Sequence, residues 1–187
     1  MSLRTLTLLL TVLLAAPVSL VGQLPGAPSS TTVIVVRHAE KATDDPRDPI
    51  LNSAGELRAE ALAAALGDAG VTALYTTQYK RTRATAEPLA SRLKLAVVER
   101  PVASGNADAY PRALAQEILA KHRGGTVVVV GHSNTVPAIV EAISGRKVAP
   151  ITEAEYDHIF IVIVPQAGSA RLVKARYGAA TAVVPSR

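Results

Sequence analysis

The run Thr32-Val33-Ile34-Val35-Val36 is β-branched throughout, with no polar residue alternating into it. A strand with one wet face alternates in polarity; an unbroken run of this length suits a strand buried on both faces, as in a parallel sheet covered by helices. Thr126-Val127-Val128-Val129-Val130 repeats the pattern. Two such strands leave few folds open.

The segments between them carry helical spacing. Ser53-Ala54-Gly55-Glu56 has Ser and Glu three apart, a capping-box signature, with Leu57, Ala61, Leu62, Ala65 and Leu66 behind it and Gly67 and Gly70 at the stop. Val71 to Tyr75 predicts a second strand, followed by a helix through Arg81, Arg83, Ala86 and Leu89 that Pro88 is expected to kink or shorten. Leu95 to Val98 predicts a third strand and Ala113 to His122 a helix. Thr135 to Ser144 predicts another helix, ended near Gly145. Ile159 to Val164 and Ala170 to Arg176 predict two strands joined by a short turn. Strands alternating with helices build βαβ units, so the expected fold is a three-layer α/β domain: a mostly parallel sheet with helices on both faces. No internal repeat, low-complexity tract or second domain interrupts it.

The first 22 residues read differently. Arg4 is the sole charge there, and Leu6 to Leu14 form an apolar core broken only by threonines, with Pro17 and small residues after it. This predicts a signal peptide over residues 1–22, with cleavage near Gly22. The apolar stretch to Val21 would also serve as a short membrane anchor. Residues 23–31, rich in Pro, Gly and Ser, read as a flexible leader to a single domain over 32–187. No second stretch of spanning length follows, so the mature chain is expected to be soluble and exported, periplasmic or secreted.

The chain has no cysteine, which excludes disulfides, a CxxC redox motif and thiolate metal sites. Its formal charge of +5 suits anionic ligands. The basic residues form no dense run, and five Tyr and one Phe are too few for a nucleic-acid stacking surface, so no nucleic-acid partner is expected.

Two segments at predicted strand ends carry chemistry: Arg37-His38-Ala39-Glu40-Lys41 after the first strand, and Gly131-His132-Ser133-Asn134-Thr135 after the fourth. Sheets of this type bind ligands at the carboxyl ends of their strands. Two of the four histidines stand there, one preceded by arginine. Phosphoryl transfer requires a nucleophile, cations around the equatorial oxygens and an acid for the leaving group. Neutral imidazole can be the nucleophile, and arginine grips two oxygens at once. The helix after His132 offers backbone N–H groups and its dipole.

These residues resemble the histidine phosphatase superfamily, the phosphoglycerate-mutase-like proteins, in its small phosphatase branch. The matching pieces are Arg37-His38-Ala39-Glu40, then Leu51-x-x-x-Gly55, then Tyr75-Thr76-Thr77 with Arg81 and Thr85-Ala86, and finally Val130-Gly131-His132-Ser133. They span roughly Val33 to Gly145 in the family's order. The resemblance implies that His38 takes the phosphoryl group as phosphohistidine, that Arg37 and Arg81 bind phosphate oxygens, and that His132 completes the pocket with Ser133 and Asn134 beside it. It implies no metal and no organic cofactor, and a small phosphorylated substrate or a phosphoprotein as partner.

The chain departs from the family pattern in three ways. Ala39 stands where Gly is usual, and Thr77-Gln78 where Ser-Pro is common. The proton donor is not marked; Glu40, Glu99 and Asp108 are the candidates. Arg83 is expected to be solvated, Asp44, Asp45, Arg47 and Asp48 to form a charged loop, and His122 to cap a helix end. His158 is read as structural, and Lys41 as an addition to the pocket's positive field or a plain surface charge.

Other classes compete for the same residues. A serine hydrolase would use Ser133 in a Gly-x-Ser elbow with Asp157 and His158, but Thr135 stands where the elbow needs Gly. A metal hydrolase would draw on His38, Glu40, His132 and His158, without any preorganising His-x-x-x-His spacing. A non-catalytic phosphate-ligand binder of the same fold is the third. A mutase is disfavoured for want of a long insert to enclose its intermediate. Oligomeric state is not encoded legibly.

Overall fold

The computed structural model describes residues 30–103 and 109–181. The proposed signal peptide, nearly all of the leader, and Asp108 lie outside the described residues.

The described chain runs β1 (Thr31–Arg37), α1 (Ser53–Leu66), β2 (Val71–Thr76), α2 (Lys80–Leu93), β3 (Val97–Glu99), α3 (Tyr110–Lys121), β4 (Thr126–Gly131), α4 (Val136–Ser144), β5 (His158–Val164) and β6 (Arg171–Arg176). The six strands form one sheet in the order β3-β2-β4-β1-β5-β6. The first four strands are mutually parallel where they pair, and β5 and β6 add as an antiparallel hairpin beside β1. The two unbroken β-branched runs are β1 and β4, paired side by side at the centre.

Alternate residues of these strands feed two separate cores. Val33, Val35, Val127 and Val129 face α3 and α4, packing with Leu114, Ile118, Ile139 and Val140. Ile34, Val36, Val128 and Val130 face α1 and α2, packing with Leu62, Leu66, Ala86 and Leu89. The sheet is therefore covered on both faces, as its unbroken apolar strands require.

Several local expectations are corrected. The cap of α1 is Asn52, whose side-chain oxygen accepts from the Gly55 N–H at 2.9 Å, so the Ser53–Glu56 capping box does not form. Pro88 does not stop α2, which continues to Leu93 and closes on Lys94 in the left-handed conformation. The missing proline N–H costs one helical hydrogen bond, which burial of Ala86, Leu89 and Ala90 offsets. β3 is shorter and later than predicted, and α3 begins at Tyr110, three residues earlier, with Pro111 in its first turn. Asp48 is more than part of a charged loop: its carboxylate accepts from the Lys80 N–H at 2.9 Å, capping α2 from outside.

Candidate active site

The parallel pairing of β1 with β4 sets Arg37 opposite Gly131. The His38 N–H then donates to the Gly131 carbonyl at 2.8 Å, so the two chains leave the sheet together. Their next side chains meet: the His38 and His132 rings lie 5.3 Å apart, edge to face. Both are buried, at 4% and 8% exposure. A third strand end, that of β2, supplies Thr77 and leads into α2, whose first turn carries Arg81.

Backbone and hydroxyl contacts fix each imidazole. His38 Nδ1 lies 2.7 Å from the Ala39 carbonyl oxygen. A carbonyl only accepts, so Nδ1 carries the proton and Nε2 keeps its lone pair. The Ala39 N–H in turn donates to the Thr85 hydroxyl, which donates to the Arg81 carbonyl. For His132, Thr82 donates its hydroxyl proton to a backbone carbonyl, that of Tyr79 at 2.8 Å or Thr77 at 3.1 Å. Thr77 must then donate to Thr82, leaving its oxygen to accept from His132 Nε2–H at 2.9 Å. This chain of three groups turns Nδ1 of His132 toward Arg81, whose Nη2 is 3.5 Å away.

Both rings are held neutral. Burial, then the neighbouring His132 ring and the Arg37 and Arg81 charges, which disfavour a further positive charge, lowers the His38 pKa to about 3 against the opposing Ala39 hydrogen bond. Burial, followed by Arg81 and Arg37, lowers that of His132 to about 4. The site thus combines an unprotonated Nε2 with fixed positive charge.

The cations are rigidly seated. Arg37, 1% exposed, donates from Nη1 to the Thr152 and Glu155 carbonyls and from Nη2 to Glu153, over the face of Tyr156 at 4.1 Å. Arg81 lies over Tyr79 at 4.4 Å, its Nη1 3.7 Å from Asp48. Arg37 Nε and Arg81 Nε and Nη1 are buried and have no hydrogen-bond partner among the described residues. Three such donors beside two neutral rings fit an anion with several acceptor oxygens. The surrounding cleft has a volume of about 280 Å³ and is lined by His38, Lys41, Tyr79, Arg81, Val102, His132, Ser133, Asn134, Thr135 and Glu153.

Thus His38, His132, Arg37, Arg81, Ser133 and Asn134 come together, while neither Glu40 nor Glu99, two of the proton-donor candidates expected from the sequence, is free to act there. The Glu40 carboxylate accepts from Arg58 Nε at 2.9 and 3.0 Å and Nη2 at 2.7 Å. Arg58, itself 4% exposed, also donates to the Tyr177 and Ala179 carbonyls, so Glu40 ties the histidine loop to α1 and the C-terminal segment. Glu99 pairs with Arg83 at 2.9 Å on the surface, outside the cleft lining. The departures from the family pattern also have places. Ala39 is fully buried, and the Gln78 amide clasps the Val102 backbone in both directions.

The rival constellations are not assembled. The Ser133 hydroxyl donates to Glu153 at 2.5 Å rather than to a histidine. Asp157 bonds Arg176 and Thr181, and His158 bonds Glu155 and stacks on Phe160. No group of three or more His, Cys, Asp or Glu able to hold a metal occurs among the described residues. His122 does sit at the C-cap of α3, but its ring is held by the Tyr75 hydroxyl at 2.9 Å.

Fold and site together define an α/β protein with an arginine–histidine cluster at its central strand ends. Residues 33–102 match the model of the histidine phosphatase superfamily (branch 1), and solved phosphatase structures share the fold. Over those residues the chain is similar to the histidine phosphatase superfamily. It is 33% identical over 117 residues to an 8-oxo-(d)GTP phosphatase of Mycolicibacterium smegmatis, covering 59% of this chain and 36% of that one. The chain thus spans about a third of the length of the curated relative it matches. A mycobacterial glucosyl-3-phosphoglycerate phosphatase superposes with a TM-score of 0.61 at 16% identity, over 76% of this chain and 97% of that one. YhfR of Bacillus stearothermophilus gives 0.62 at 17%, over 76% and 95%.

Proposed function

We propose that the protein is an exported phosphomonoesterase that works through a phosphohistidine on His38. The observation that carries this reading is the set of three unpartnered, buried guanidinium donors on Arg37 and Arg81 beside a histidine whose Nε2 is free and unprotonated. A phosphoryl group satisfies those donors and presents its phosphorus to Nε2. Transfer spreads negative charge over the equatorial oxygens, where two fixed arginines stabilise it without reorganising. Its neutral ring lets His38 attack without first losing a proton. Water then attacks the phosphohistidine and releases inorganic phosphate. An 8-oxo-(d)GTP phosphatase and a glucosyl-3-phosphoglycerate phosphatase are among the chain's relatives, which supports the reaction class. Export rests on Arg4 and the apolar run of residues 6–14.

The test is turnover of p-nitrophenyl phosphate by the chain lacking residues 1–22, with EDTA present. Activity is expected to survive EDTA and Ser133→Ala and to vanish in His38→Ala. Full activity in His38→Ala would refute the nucleophile. A folded wild type that binds inorganic phosphate yet hydrolyses no ester would make the protein a binder.

A further inference from the structure

Breaking the ester bond leaves an alkoxide or phenoxide that needs a proton, and neither histidine nor Glu40 or Glu99 supplies it. Both histidines are neutral and committed: His38 Nδ1–H to Ala39, and His132 Nε2–H to Thr77. Glu40 and Glu99 are held by Arg58 and Arg83. Among the described residues lining the cleft, one carboxyl group occurs, that of Glu153.

Its placement is specific. One oxygen accepts from Arg37 Nη2 at 2.8 Å and the other from the Ser133 hydroxyl at 2.5 Å. The Glu153 side chain is 69% exposed, whereas Arg37 and His38 are buried. Glu153 therefore stands at the mouth of a cleft whose buried lining includes His38 and His132. In-line displacement puts the leaving oxygen on the far side of phosphorus from the attacking nitrogen. With Nε2 attacking from the floor, that oxygen points outward, to where Glu153 stands.

We propose that Glu153 is the general acid that protonates the leaving oxygen and the general base that later activates water, an inference that rests on the phosphatase reading. In the free protein its carboxyl is held below the usual carboxylate range, by the Ser133 hydrogen bond first and by Arg37. A phosphate ester entering beside it adds a second anion to the same arginine, which favours the protonated acid. Glu153 takes that proton from solvent. As His38 Nε2 forms its bond to phosphorus, the P–O ester bond breaks, its electron pair stays on oxygen, and the Glu153 proton moves there. The alcohol departs, leaving phosphohistidine and carboxylate. The carboxylate then removes a proton from water as its oxygen attacks phosphorus, the P–N bond breaks, and phosphate, neutral His38 and protonated Glu153 result.

Leaving-group dependence tests this directly. Glu153→Gln keeps an acceptor oxygen for Arg37, turns its NH2 toward the Ser133 hydroxyl, which can accept instead of donate, and alters an exposed side chain, so the fold is retained. Losing a general acid costs on the order of 100-fold or more where the leaving group is a poor one. Glu153→Gln is thus expected to lose about 100-fold in kcat on glycerol 2-phosphate and less than about 3-fold on p-nitrophenyl phosphate, whose phenolate leaves without help. Equal losses on both esters would overturn the assignment. So would a gain on both, which would make the carboxylate a competitor for Arg37, or the same selective loss in Asp108→Asn instead. A wild type inert toward both esters would remove the phosphatase reading itself, a failure visible before any variant is made.

Discussion

Nδ1 of His38 stands 2.7 Å from the carbonyl oxygen of Ala39, the residue that follows it. A single backbone acceptor thereby decides which nitrogen of the ring is nucleophilic, and burial keeps that nitrogen unprotonated. His38 and His132 should therefore stay neutral in the folded protein well below the ordinary histidine range. Their ring carbon–proton NMR signals are expected to move little between pH 7.5 and 5.5. The unfolded chain protonates both near pH 6.5, so it binds more protons than the fold below that value. Stability should fall with acidification from about pH 6.5 toward 4, by up to roughly 1.4 kcal/mol per pH unit from each histidine. Urea unfolding across that range checks the sign, and His132→Asn should flatten the slope.

Arg81 offers two of the three unpartnered buried donors. Charge-assisted hydrogen bonds of this kind contribute about 1.5–3 kcal/mol each. Arg81→Ala should weaken inorganic phosphate binding by at least about 100-fold in calorimetry. Arg81→Lys should recover only part, because one ammonium cannot reproduce two fixed guanidinium donors. Equal affinity in Arg81→Ala and wild type would remove Arg81 from the anion site.

Thr77 holds His132 through a buried hydroxyl. Thr77→Val should leave the Nε2–H unpaired and cost about 1–3 kcal/mol of stability. The freed ring should also lower kcat more than it raises KM. A variant of wild-type stability and kcat would refute the hydroxyl chain.

Buried Arg58 and partly buried Glu40 form a pair that fastens the histidine loop. Arg58→Ala should cost about 2–4 kcal/mol, since it leaves a partly buried carboxylate and two carbonyls without their donor. Replacing both partners, as Arg58→Met with Glu40→Leu, should cost less. Thermal unfolding of the three proteins decides it.

The sheet and the floor of the site were legible because both are written in short contiguous signals. Unbroken β-branched runs can only be central strands here, and Arg37-His38 and Gly131-His132 stand directly at their ends. Gly55 was visible as part of a motif, but its reason is tertiary. A Cβ there would overlap the Glu40 carbonyl oxygen, so α1 can pack on the histidine loop only with glycine. The mouth of the site was not legible. Glu153 and Tyr156 lie in an irregular segment more than 110 residues from Arg37, where no periodicity marks which side chain turns inward. Arg58 was missed because a buried arginine on a helix breaks the apolar pattern that identifies the buried face. Asn52 was passed over because two cap-forming residues are adjacent, and only loop geometry selects between them.

The central claim is a covalent bond between His38 and phosphorus. The most direct measurement is to mix the protein lacking residues 1–22 with excess p-nitrophenyl phosphate, quench in alkali within the first turnovers and map the phosphopeptide by mass spectrometry. The account predicts phosphate on the peptide containing His38, stable to alkali, lost in acid and absent from His38→Ala. Phosphate on Ser133, or turnover in His38→Ala at the wild-type rate, would contradict it.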